Sequence, residues 1–108
     1  MKKLIITFFA LMATLAGVAL AADAKAGMDT FNKSCKLCHG EGGAVPNAGV
    51  AKMFGVPIPI LGSPDVQAKS DADLKKVITE GKGKMPAPKN VTGGAVDDVI
   101  AYLRTLKQ

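Results

Sequence analysis

The sequence predicts an all-α fold, and three observations carry that prediction. Apolar residues recur at spacings of three and four in three separate stretches, nothing alternates with period two, and the connections are interrupted by proline and glycine. The first stretch runs from about Ala24 to Cys38, with Ala24, Met28, Phe31, Cys35 and Cys38 on one stripe and Gly40 as its stop. The second opens at Ser70, whose hydroxyl can cap a helix with Asp73 three residues on; Leu74, Val77 and Ile78 form its stripe and Gly81 ends it. The last, GGAVDDVIAYLRTLK, sets Val96, Val99, Ile100, Leu103 and Leu106 along one face. Asp97 and Asp98 occupy its early turns and Arg104 and Lys107 its late ones, as a helix dipole favours. Between the first two lies EGGAVPNAGVAKMFGVPIPILGSPD, whose four prolines leave room only for a short helical piece around Val50 to Phe54.

At the amino terminus, Met1-Lys2-Lys3 precedes an uncharged run from Leu4 to Ala22, and Ala19 and Ala21 form an A-x-A pattern. A positive start, an apolar stretch and small residues before the cut are what a signal peptidase reads. Residues 1–21 are therefore expected to be a secretory leader removed after Ala21. As an uncleaved anchor the 19-residue run would just span a bilayer, but Thr7, Thr14 and Gly17 dilute it. No cysteine lies in or just after it to carry a lipid.

Residues 22–108 then form one domain of 87 residues. Domains of this size bury little apolar area and are commonly completed by a disulfide, a metal or a cofactor. Phe31, Phe54 and Tyr102 are its only aromatics, tryptophan is absent, and glycine and proline abound. Something besides side chains is expected to fill the centre. The net charge of the whole chain is +5, and without Lys2 and Lys3 it is +3, from 12 basic and 9 acidic residues. No arginine-rich stripe or aromatic platform suggests nucleic acid.

Residues 35–40 read CKLCHG and contain the only two cysteines and the only histidine. Three chemistries could use Cys35, Cys38 and His39. An exported dithiol can be a disulfide or a thioredoxin-like redox site, but that site opens a helix in a sheet-containing fold, and this pair closes one. A structural zinc site would need a fourth ligand, which only a carboxylate could supply. Covalent haem attachment has Cys-x-x-Cys-His as its signature: each cysteine forms a thioether with a vinyl group, and the histidine is held under the iron as an axial ligand. Haem gives all three residues a use. One large, flat, apolar cofactor would also stand in for the missing aromatic core.

The lone histidine fills one axial position, so a second protein ligand would be Met or Lys, or the site is open. Met28 shares the helix of the cysteines and Met53 forms a helix-spaced patch with Val50 and Phe54, so both are expected in the core. Met85 lies instead in GKGKMPAPK, a stretch that cannot be regular helix or strand, 46 residues beyond His39. That is ample chain to pass around a haem edge and offer a soft thioether to the iron.

Together these features resemble the small monohaem class I cytochromes c of the short bacterial and photosynthetic-carrier type. The resemblance rests on the export signal, the short helix with Gly27 and Phe31, CKLCH, the proline-rich middle, KGKMP and the terminal helix VDDVIAYLRTL, and covers essentially all of residues 22–108. It implies the small cytochrome c fold, three to four helices and long loops wrapped around one covalently bound haem c. Its crossing of first and last helices maps onto Gly27, Phe31 and Tyr102. It also implies a proline carbonyl that accepts the histidine ring proton, with Pro46 as the candidate and Pro57 and Pro59 as alternatives. The pair Gly93-Gly94 at the head of the last helix departs from the family pattern.

The function this resemblance implies is that of a one-electron carrier rather than an enzyme, with His39 and Met85 as axial ligands. It would shuttle electrons between a redox donor and acceptor outside the cytoplasmic membrane, in the periplasm. Lys33, Lys36, Lys82, Lys84 and Lys89 lie close in sequence to the attachment segment or the Met85 loop. Around an exposed haem edge they would steer partners with acidic docking surfaces into a small, transient contact. A soluble monomer without stable membrane insertion is expected. The alternatives are a haem enzyme or gas sensor with an open sixth position, and a cytochrome subunit of a larger respiratory complex. Against peroxidase chemistry stands the absence of a second histidine, and of an arginine in the distal segment.

Overall fold

A computed structural model describes residues 22–108; the expected leader, residues 1–21, lies outside the described residues. Six helices follow one another: α1 (Ala24–Ser34), α2 (Lys36–His39), α3 (Ala48–Phe54), α4 (Pro64–Gln67), α5 (Asp71–Glu80) and α6 (Gly94–Thr105). A 3₁₀ turn over Glu41–Gly43 follows α2. Among the described residues there is no strand, only a bridge between Lys82 and Met85. The all-α expectation holds.

Three of the helices begin where a side chain satisfies their free N–H groups. Asp23 caps α1 by accepting from the N–H groups of Lys25 and Ala26, the Ser70 hydroxyl caps α5 by accepting from that of Asp73 at 3.1 Å, and Asn47 caps α3. The first helix is shorter than its periodicity predicts. Cys35 leaves helical geometry at φ −121°, so the expected helix to Cys38 is two: α1, and the separate single turn α2. The short helix around Val50 begins two residues earlier than expected, at Ala48, and α4 was not anticipated. Its signal was Ser63-Pro64, a proline at the first helical position.

The core lies where α1 crosses α6. At Gly27 a Cβ would stand 1.9 Å from the Asp98 carbonyl oxygen and 3.0 Å from the Tyr102 Cβ, so only glycine lets the two backbones approach this closely. One turn on, Phe31 is 1% exposed and its ring lies 5.3 Å from that of Tyr102, tilted by 55°. The crossing expected of Gly27, Phe31 and Tyr102 is present. Val96, Val99, Ile100 and Leu103 of α6 are buried against it, with Leu74 and Ile78 of α5. Asp98 also ties the chain segment before α1 to α6 by accepting from the Asp23 N–H at 2.8 Å. Two expectations about the core fail: Met28 is 38% exposed and Met53 72% exposed. Both lie at helical spacing, which marks a flank of the helix without telling what covers it.

Candidate functional site

Between the α1–α6 layer, α5 and the irregular segments lies a cavity of about 520 Å³ with a largely apolar wall, well within the range of small-molecule and cofactor sites. Cys35, Cys38 and His39 reach it from the α1–α2 junction and Val50 and Phe54 from α3. The residues from Val56 to Pro59 and Leu61 follow, then Leu74, Val77 and Ile78 of α5 and Val99 and Leu103 of α6. Met85 completes it with its neighbours Lys82 to Pro86. Four of the five residues singled out in the sequence thus share one cavity. Pro46 does not line it, and stands beside Gly40, where the loop folds back.

Electrostatically the site is set for neutral groups. Burial, and then the neighbouring Cys38, push the Cys35 thiol up to about 11, so it stays protonated at neutral pH. Neither cysteine is in a disulfide. His39 is buried, and burial lowers its pKa below the usual histidine value, a shift the Pro59 backbone partly opposes. The ring is therefore neutral near pH 7. Its Nδ1 is buried with no partner in hydrogen-bonding geometry. Of the three candidate prolines, Pro57 and Pro59 line the cavity with His39 and Pro46 does not.

Met85 is held by a tight reversal. Its N–H donates to the Lys82 carbonyl at 2.9 Å, and the Lys82 N–H donates to the Met85 carbonyl at 3.0 Å. The turn leaves α5 through Gly81 at φ +77°, where a Cβ would stand 2.7 Å from the Met85 carbonyl oxygen, so a side chain there would push the methionine away. Lys82 and Lys84 line the cavity with it. Lys33, Lys36 and Lys89 are exposed and do not line it, whereas Lys69, which the sequence did not single out, does. Also missed were Val56, Ile58 and Leu61 of the wall, because a Pro-interrupted apolar run has no period to read. Among the described residues no three His, Cys, Asp or Glu side chains converge to hold a bare metal ion. A second hollow of about 340 Å³, bordered by Asp71, Lys75, Asp97 and Arg104, has its charges paired across it and contains no thiol, imidazole or thioether.

First and last helices crossed beside a cavity that gathers CKLCH and a methionine turn define the class: a small class I c-type cytochrome. The family model described as cytochrome C oxidase, cbb3-type, subunit III matches residues 22–103, and the chain belongs to that family. A solved structure, the KustC0563 c-type cytochrome, is similar at a TM-score of 0.62 and 27% identity, the match covering 76% of this chain and 98% of that one. No curated protein matches. Fold and family give the chain a haem-based electron-transfer role and imply haem c as cofactor and redox proteins as partners.

Proposed function

We propose that residues 22–108 form a one-electron carrier in which Cys35 and Cys38 hold one haem c covalently and His39 and Met85 are its axial ligands. The observation that carries this reading is the meeting of two thiols, a neutral imidazole and a thioether on one apolar cavity. The donor set fits the group. An imidazole kept neutral by burial is in the ligating state. Haem held by Cys35, Cys38, His39 and Met85 would supply a one-electron couple, and ligation by one histidine and one methionine would favour the reduced iron relative to two histidines.

The chain supplies the rest. Leu74, Val77, Ile78 and Val99 line the cavity with apolar surface, and the Gly81–Met85 turn presents the thioether. Lys69, Lys82 and Lys84 put positive charge at the cavity, suited to brief contact with acidic redox partners. Removal of residues 1–21 would leave a soluble periplasmic monomer, and among the described residues no helix is long and apolar enough to cross a membrane. The family description favours a second reading, the same domain as a subunit of a respiratory complex. The size of the native assembly separates the two.

The test uses protein expressed with haem-maturation machinery. Intact mass should show one haem retained through acid-acetone extraction and a chain starting at Ala22, and the wild type should bind carbon monoxide poorly. Met85→Ala should give a high-spin or water-bound ferric spectrum and take up carbon monoxide readily. Rapid carbon monoxide binding by the wild type, or an unchanged spectrum in Met85→Ala, would give the site to the enzyme or sensor reading.

A further inference from the structure

The attachment segment rests on a helix that cannot hold itself. α2 is a single turn of four residues, and its N-cap Cys35 makes no side-chain cap bond. Every helix leaves its last carbonyls and first N–H groups without partners inside the helix. In α2 the Lys36 carbonyl accepts from the Gly40 N–H at 2.8 Å. The next two carbonyls both go to one residue. Asn47 Nδ2 donates to the Leu37 carbonyl at 3.1 Å, and the Asn47 backbone N–H donates to the Cys38 carbonyl at 2.9 Å. Its Oδ1 meanwhile accepts from the N–H groups of Gly49 at 3.0 Å and Val50 at 3.2 Å, capping α3.

We infer that Asn47 is the positioning residue of the haem-binding segment: it locks α2, which carries Cys38 and His39, to α3, which carries Val50 and Phe54, so that both contribute to the cavity in one register. This rests on the reading of Cys35, Cys38 and His39 proposed above. One planar amide is needed because the side chain must donate to one helix and accept from the other, and only one orientation of the amide does both. An aspartate would keep the cap, and its charge suits the start of a helix, but it would set an oxygen against the Leu37 carbonyl oxygen. A serine would keep a cap acceptor and lose the reach to α2.

The experiment compares wild type, Asn47→Asp, Asn47→Ser and Asn47→Ala, each as isolated after expression with maturation machinery. Backbone hydrogen exchange of residues 35–40 should quicken about tenfold or more in all three variants, whereas residues 48–54 should quicken only in Asn47→Ala. With α2 loosened, water reaches the axial ligand and the oxidised iron gains. At fixed poise the reduced-to-oxidised ratio in Asn47→Asp should fall roughly three- to tenfold, about 30–60 mV. Wild-type exchange and potential in Asn47→Asp and Asn47→Ser would mean that Asn47 only caps α3, which overturns the inference. A wild-type protein without covalent haem would instead overturn the attachment reading, and the exchange comparison would still decide whether Asn47 grips α2.

Discussion

Gly27 shows how strictly one residue can be constrained when its neighbours are backbone. On an exposed helix, replacing glycine by alanine stabilises by about 1 kcal/mol. Here the new methyl would be driven into the Asp98 carbonyl, which belongs to a helix and cannot swing away. Overpacking of this kind costs about 1–3 kcal/mol and outweighs the propensity gain where the backbone cannot yield. Gly27→Ala should therefore lower the melting temperature of the haem-loaded protein by roughly 4–12 °C, measured by circular dichroism. A rise in melting temperature would mean that the two helices can move apart at little cost. At the same scale, Cys35 and His39 owe their state to burial, which keeps both neutral near pH 7.

Among the elements, the α4–α5 connection depends on one side chain of α6. The Arg104 guanidinium donates to the carbonyls of Gln67 at 3.0 Å and Lys69 at 2.7 Å, and with two nitrogens to the Asp71 carboxylate. These bonds occupy the free carbonyls after α4 and fix a stretch that brings Val66 and Lys69 to the cavity. A lysine would keep the charge and lose the fork. Arg104→Lys should cost about 1–2 kcal/mol in urea unfolding, the exposed Asp71 contact adding little, while a loss below roughly 0.3 kcal/mol would show the clamp to be idle. Legibility varied with the kind of signal. The Ser70 cap, the α6 stripe and the non-helical setting of Met85 rest on local chemistry and could be read directly. The break at Cys35 could not, because the stripe continues through it while the backbone follows tertiary packing. Spacing likewise identified helices at Met28 and Met53 without telling what those helices face. Val91 is 2% exposed in a loop, and a lone buried loop residue has no period to announce it.

For the molecule as a whole, the cavity sets the terms of stability. Among the described residues the buried core consists of ten apolar side chains, few for a domain of 87 residues. The cavity of about 520 Å³ is lined mostly by apolar side chains and opens to solvent. Without a group seated in it, those side chains face water or one another rather than a packed interior. The Cys35→Ser/Cys38→Ser double variant, produced without haem, should show little cooperative thermal unfolding. A sharp melt by circular dichroism would show that side chains alone sustain the fold.

The crossing of α1 with α6 also has a consequence in time. It joins Gly27 to Asp98, so no amino-terminal fragment can form it, and the domain stays open until its last helix has been made. His39 is synthesised 69 residues before Gln108. At about 5–20 residues per second that interval lasts roughly 3–14 s, during which CKLCH belongs to an unclosed chain. The order along the chain thus makes both thiols before α6, and closure of the crossing comes after them.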